Sequence, residues 1–254
     1  MPVDVSAYLD RIAYRGPEVA NETTLRRLHL AHLRTVPFEN LDIGLGREIV
    51  LETTRLFDKI VRHRRGGFCY ELNGLFAELL GALGFRVTLL SARVVNEGRP
   101  GPEFDHLALR IDLDRPWLCD VGFGDSFLEP LVLAEGETVE GRWRYRLVRE
   151  GADWTLSRGE PWETSFVFTL TPRRLEDFEA MCRFHQTSVE SPFTRKRVCS
   201  IATERGRITL SNDRLIVTEG GDRCETHLAD ETAIRDTLRR AFGVELPAAA
   251  RAKQ

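Results

Sequence analysis

Arg65-Gly66-Gly67-Phe68-Cys69-Tyr70-Glu71-Leu72-Asn73 is the stretch from which the fold can be read. Two glycines and an aromatic precede a cysteine, and an apolar stripe begins at once. Leu72, Leu75, Phe76, Leu79, Leu80 and Leu83 fall at i, i+3, i+4, i+7, i+8 and i+11. That spacing is one face of a helix. Cys69 therefore stands at a helix N-terminus, and Gly84 is placed to end the helix. Unpaired N–H groups and the helix dipole favour an anion at such a position. A thiolate is an anion, so the site is expected to depress the Cys69 pKa and make the thiol a nucleophile. The glycines let backbone approach closely, as an acyl-transfer site needs. A buried structural cysteine beside a turn would carry the same local pattern.

Upstream the chain reads helical. Val5, Tyr8, Leu9 and Ile12 form one stripe, ended by Gly16-Pro17. Thr23 or Thr24 can cap a second helix carrying Leu25, Leu28 and Leu33, which Pro37 stops. Val36 to Asp42 reads as a loop. Thr53 or Thr54 can cap a third helix with Leu56, Phe57, Ile60 and Val61. Short helices with short connections suggest a small bundle.

Downstream of Gly84 the pattern changes. Phe85–Val95, His106–Leu113 and Trp117–Phe123 read as strands, the last two joined by a turn at Asp114-Arg115-Pro116. Trp143–Arg149 and Trp154–Arg158 pair across a short turn, and this rhythm suggests an antiparallel barrel or sandwich. Thr171-Pro172 looks like an N-cap with proline at the first helical position, which predicts a helix from about 172 to 185. Strands follow at 197–203, 207–210 and 215–218, then a helix capped by Asp230 and closed by Gly243. The tail from Pro247 to Gln254 is expected to fray. No repeat or low-complexity linker separates these parts, and the fold class is α+β.

Composition narrows the function. With 42% hydrophobic and 30% charged residues the chain is too apolar and too mixed in charge to be disordered. A net charge of -3 argues against nucleic-acid binding by charge alone. Lys occurs only at 59, 196 and 253, so Arg supplies nearly all of the 36 basic residues. Genome base composition is the plain cause. Cys69, Cys119, Cys182, Cys199 and Cys224 are odd in number and scattered, without a CxxC, which speaks against a disulfide framework or a zinc site. There is no apolar run of membrane-spanning length and no secretory pattern at Met1-Pro2-Val3-Asp4, so a reducing cytoplasm is the expected location.

A thiol nucleophile needs a base, and the base needs an orienting partner. Among six histidines, His29 and His32 read as surface or core-edge residues, His63 as solvated, and His185 and His227 as loop-flanking. His106 begins a strand, and cross-strand pairing could bring Asp120 onto it. Asp105 is the rival, but adjacent side chains on a strand point to opposite faces.

The Cys69 stretch, together with Pro37-Phe38-Glu39-Asn40-Leu41-Asp42 and Asp120-Val121-Gly122-Phe123-Gly124, resembles the arylamine N-acetyltransferase family. The matches come in the family's order over roughly residues 5 to 135, with a weaker one at Ser191-Pro192-Phe193-Thr194. The resemblance implies a helical bundle over 1–84 carrying the cysteine, a β-barrel over 85–190 carrying the histidine and aspartate, and an α/β lid over 191–254. Its core would be like that of the cysteine proteases, a triad mapping onto Cys69, His106 and Asp120. It implies acetyl-CoA as co-substrate, an acetyl-cysteine intermediate, a small aromatic amine or hydrazine as acceptor, and no metal. Phe38 and Phe123 would line the amine slot, while Gly122, Gly124, Phe193 and Thr194 would meet CoA. Three other readings remain: a related amide synthase closing a macrolactam in polyketide biosynthesis, a Cys-His-Asp hydrolase or transglutaminase-like enzyme, and a binding protein with a structural Cys69.

Overall fold

The computed structural model describes residues 3–246, so the tail from Pro247 to Gln254 lies outside the described residues. The first part of the chain holds helices α1 (Val5–Arg11), α2 (Glu22–Thr35), α3 (Leu41–Gly44), α4 (Thr53–Phe57) and α5 (Cys69–Ala82), with a short strand β1 (Phe38–Glu39) between α2 and α3. Helix α5 is the axis of this region. Its stripe Leu72, Leu75, Phe76, Leu79 and Leu80 is fully buried, and Tyr8, Leu25, Leu28, Leu56 and Ile60 join it in one apolar cluster. Each such side chain gains about 1.5–3 kcal/mol on burial.

The helix starts differ in detail from the sequence expectation. Asn21, not Thr23 or Thr24, caps α2, its side chain accepting the Thr24 amide at 2.9 Å. Thr53 is already inside α4, which runs on through a π-helical turn at Asp58–Arg62. The expected loop at 36–42 is instead built: Phe38 and Glu39 pair with Ser200 and Cys199, and α3 follows. Pro37 forces its neighbour Val36 into an extended conformation, and an extended segment whose backbone groups are being buried needs a ladder partner.

A second layer is an antiparallel, nearly closed barrel sheet of β2 (Arg86–Asn96), β3 (Arg99–Pro100), β4 (His106–Asp112), β5 (Pro116–Cys119), β6 (Leu131–Val132), β7 (Gly136–Glu140), β8 (Trp143–Glu150), β9 (Asp153–Arg158) and β10 (Glu163–Arg173). The strand order is β6-β5-β4-β2-β10-β9-β8-β7, with β3 attached to β2. Leu90, Ala92, Ala108, Leu118, Tyr145, Leu147, Leu156, Phe166 and Phe168 fill its interior. Leu107, Leu109 and Ile111 face the other way, into the α5 cluster. Strand β4 is thus buried on both sides, and that is where His106 sits.

Two expectations fail here. The third strand stops at Cys119, because the amides of Asp120 and Val121 bond side chains of His29 and Asn73 rather than a ladder. The helix expected from 172 is the end of β10, where Pro172 lies opposite Leu90 beyond a bulge. Strand pairing overrode the local Thr-Pro signal, and proline is tolerated at such an irregularity. A 3₁₀ turn at Leu175–Phe178 then leads into α6 (Glu179–Thr187), and α7 (Pro192–Arg195) follows.

The last sheet orders β1, β11 (Val198–Ala202), β12 (Gly206–Ser211), β13 (Arg214–Glu219) and β14 (Asp222–His227). Helix α8 (Glu231–Phe242) covers it with Ile234, Leu238 and Phe242. Asp230 caps α8 and Gly243, in the left-handed region, ends it.

Candidate active site

Cys69 is the first residue of α5. Phe68 enters the helix in extended conformation, and its N–H donates to Glu71 Oε2 at 3.1 Å. The glycine at 66 is required by contact: a Cβ there would lie 1.9 Å from the Pro37 carbonyl oxygen. Glu39 N donates to the Gly67 carbonyl at 2.8 Å, so the two motif stretches form one unit in space.

Behind this unit lies a buried ion network. Arg65 meets Glu39 and Asp42 at 2.7 and 3.0 Å, and Lys59 meets Asp42 and Glu71 at 2.8 and 2.7 Å. Three carboxylates share two cations. Burial pushes the Glu71 carboxyl up to about 7, against the pull of Lys59 and with a further push from Glu39.

His106 and Asp120 meet as expected, by a different route. The β4–β5 ladder pairs Leu109 with Cys119, and the chain then leaves the sheet. Asp120 Oδ2 lies 2.7 Å from His106 Nε2. Its Oδ1 accepts from Asn73 Nδ2 at 2.8 Å and from the Gly122 amide at 2.9 Å. Asn73 stands four residues after Cys69, on the same face of α5. It also donates to the Leu107 carbonyl at 2.6 Å and accepts the Val121 amide at 2.9 Å. One amide side chain therefore joins the cysteine helix, the histidine strand and the aspartate loop. The loop lies hard against the nucleophile, since a Cβ on Gly122 would be 2.8 Å from Cys69 Cα.

Cys69, His106 and Asp120 are 3%, 2% and 1% exposed. Burial pushes the Cys69 thiol well up; the Leu107 amide pulls it down, and the Asp120 and Asp105 charges push it further up. The expectation that the helix start alone would depress this pKa is therefore corrected. In so enclosed a place desolvation of a lone thiolate outweighs the dipole.

His29 is the main partner that the sequence hid. It is fully buried, not at the surface, and so is His32. The Asp120 amide donates to His29 Nε2 at 3.1 Å, which leaves Nδ1 as the protonated nitrogen, donating to the Leu128 carbonyl at 2.8 Å. The signal was there: Leu25, Leu28, His29 and His32 fall at i, i+3, i+4 and i+7. Asn73 was visible as a residue one turn past Cys69 but carried no mark of its role.

Aromatic rings stand around these groups. Phe123 and His106 meet edge to face, with centroids 5.2 Å apart, and both rings touch Phe166. A Cβ on Gly124 would sit 3.3 Å from the Phe38 ring. Phe193 lies 6.2 Å from Phe38 and 5.9 Å from Phe68, centroid to centroid. Phe38, Phe123 and Phe193 are all half-buried.

A family model described as N-acetyltransferase matches residues 22–251 of the chain. The arylamine N-acetyltransferase of Mycolicibacterium smegmatis is 36% identical over 97% of this chain and 94% of its own length. That of Escherichia coli (strain K12) is 34% identical over 93% of this chain and 87% of its own. The chain belongs to the arylamine N-acetyltransferase family. The structure of Mycobacterium marinum arylamine N-acetyltransferase in complex with CoA matches with a TM-score of 0.89 at 32% identity, covering 95% of this chain and 93% of that one. The Salmonella typhimurium arylamine N-acetyltransferase structure matches with a TM-score of 0.90 at 31% identity, covering 98% and 94%.

For an N-acetyltransferase, the residues available to a cofactor matter next. The Gly122–Gly124 turn leads into a cavity of ≈ 500 Å³ lined by Asp125, Arg142, Arg205 and Arg207, among others. Arginines there could hold phosphate oxygens, although Arg207 already pairs with Asp125 at 3.1 Å and donates to the Gly124 carbonyl. Thr194 spends its hydroxyl proton within its own turn, on Ser188 and Ser191 carbonyls at 2.8 and 3.0 Å. Any contact from it to a cofactor would use the methyl group or the oxygen lone pairs. Among the described residues no cluster of His, Cys, Asp and Glu could hold a metal ion, and no helix is long and apolar enough to cross a membrane.

Proposed function

We propose that the chain moves an acetyl group from acetyl-CoA to the nitrogen of an arylamine or arylhydrazine, by a ping-pong route through acetyl-Cys69. The observation that carries this is the set of three: a cysteine opening α5, and a histidine held at 2.7 Å by a buried aspartate against the same helix.

Because Asp120 occupies Nε2 of His106, Nδ1 is the nitrogen open to the Cys69 proton. Burial penalises a lone thiolate here. Moving the proton to His106 instead makes a thiolate–imidazolium ion pair of zero net charge, with Asp120 steadying the imidazolium. The sulfur then attacks the thioester carbonyl of acetyl-CoA. The oxyanion is met by backbone N–H groups, that of Cys69 among them, since the first amides of a helix lack partners within it. The carbon–sulfur bond to CoA breaks, and CoA leaves with the proton from His106. In the second half the amine nitrogen attacks the acetyl-cysteine carbonyl and His106 takes the surplus proton. Collapse releases the amide and restores Cys69. Phe38 and Phe123 form the slot for the aromatic ring. Gly122, Gly124, Phe193 and Thr194 form the CoA side, with the phosphates toward the arginine-lined cavity.

Intact-protein mass spectrometry after mixing with acetyl-CoA alone tests this. An acetyl-sized gain mapped to Cys69, and discharged by an aromatic amine or hydrazine, is expected. Release of the group by water at the same rate without amine would make the enzyme a hydrolase. No gain from a thiol that iodoacetamide still alkylates rapidly would mean a different acyl donor, as in an amide synthase.

A further inference from the structure

Asp105, the rival to Asp120 in the sequence, has a histidine of its own. Its Oδ1 lies 3.1 Å from Nε2 of His185, on α6. His185 is 3% exposed, far from the loop-flanking residue its sequence suggested. Its Nδ1 lies 3.1 Å from Ser191 Oγ, which in turn accepts the Phe193 amide at 3.2 Å. The imidazole also meets the Phe193 ring edge to face, with centroids 5.1 Å apart at 86°. On the other side it stacks on Tyr70 at 6.2 Å and 29°. Tyr70 donates its hydroxyl to the carbonyls of Phe104 and Asp105 at 2.7 and 3.1 Å.

A buried histidine with both nitrogens engaged could serve folding alone. What sets this one apart is where its partners stand. Tyr70 follows the nucleophile, Asp105 precedes the base, and Phe193 faces Phe38 and Phe68 beside the site. We propose that His185 is a positioning residue for the amine step: it fixes the Phe193 ring relative to Cys69 and His106, and so sets the wall against which the arylamine ring lies. Phe193 then serves the acceptor as well as the CoA side. The inference rests on the acetyl-Cys69 reading above.

The test separates the two half-reactions. Cys69 acetylation by acetyl-CoA is timed without amine, and discharge of the acetyl-enzyme is followed against amine concentration. In His185→Ala the half-saturating amine concentration should rise about tenfold while acetylation slows no more than about threefold, since a small misplacement taxes the step that depends on the displaced group. In a Phe193→Ala background the same change should add less than about twofold, because residues acting through one contact are not additive. Equal losses in both half-reactions, additive with Phe193→Ala, would reduce His185 to a structural residue and overturn the proposal. So would an unchanged amine dependence. If His185→Ala melts at the assay temperature, Ser191→Ala keeps the imidazole but removes the hydroxyl that joins His185 Nδ1 to the Phe193 amide, and should shift the amine dependence in the same direction. Failure of the wild-type protein to gain an acetyl group would overturn the acetyl-cysteine reading itself, before any variant is compared.

Discussion

His29 accepts the backbone proton of Asp120 at 3.1 Å, so a neutral imidazole on α2 anchors the backbone of the residue whose carboxylate holds His106. Burial pushes the His29 pKa down from 6.5 to about 4. The unfolded chain therefore takes up its proton first as pH falls. Stability is whole above about 6.5 and is lost progressively as pH drops toward about 4, by about 3 kcal/mol for this one group. Urea midpoints of the wild type and His29→Gln, compared between about pH 7 and pH 4, should converge on acidification. Parallel curves would remove His29 from the account.

Cys69 should depend on its histidine for reactivity. Burial pushes the thiol up, and His106→Ala removes the imidazole proposed to take its proton. Alkylation by iodoacetamide near neutral pH is expected to fall at least about tenfold and to recover only in alkali. A variant as reactive as the wild type would show that the helix start alone suffices. Cys69→Ala should stay folded and gain no acetyl group.

Asp120 can be tested without disturbing its size. Asp120→Asn keeps a partner for the ring but removes the charge that favours the imidazolium. Steady-state turnover is expected to fall by about three to four orders of magnitude. A loss of less than about tenfold would make the carboxylate's charge dispensable.

Gly122 tolerates no side chain where it stands. A Cβ would come to 2.7 Å from Asn73 Nδ2 and 2.8 Å from Cys69 Cα. Gly122→Ala must move the aspartate loop off the nucleophile, and Cys69 acetylation should slow by about a hundredfold. Gly44→Ala, which meets nothing within 4 Å, is the control and should keep wild-type rates.

The ion network predicts an asymmetric response. Lys59→Met leaves Asp42 and Glu71 without their shared cation in a buried place, and should cost about 3–5 kcal/mol in urea unfolding. Changing Arg26, whose partner Glu129 is half exposed, should cost less than about 1 kcal/mol.

Some of this was legible from residue order and some was not. The α5 stripe and the glycines around Cys69 placed the nucleophile, because helical periodicity survives in any context. The meeting of His106 and Asp120 was legible as a hairpin, though the register puts Cys119 opposite Leu109 and the aspartate arrives by leaving the sheet. His29 was missed because polarity was allowed to outvote its place on a buried stripe. The Thr171-Pro172 signal misled because a long-range partner, β2, was already claiming that segment. Strand β14 gave no pattern at all: Asp222 to His227 is polar and exposed along its length, and only pairing with β13 makes it a strand.

Strand β1 has a consequence for how the enzyme comes into being. Phe38 and Glu39 form the edge of a sheet whose other strands begin at Val198, and they also lean on Gly67 beside the nucleophile. During synthesis, the segment bearing the cysteine waits through some 130 residues for the neighbour that completes its surroundings. A nascent chain stalled before Val198 would hold its thiol, histidine and aspartate while β1 still lacked its ladder partner. The sheet that backs the Cys69 turn can therefore close only late in synthesis, after the thiol, histidine and aspartate have all been made.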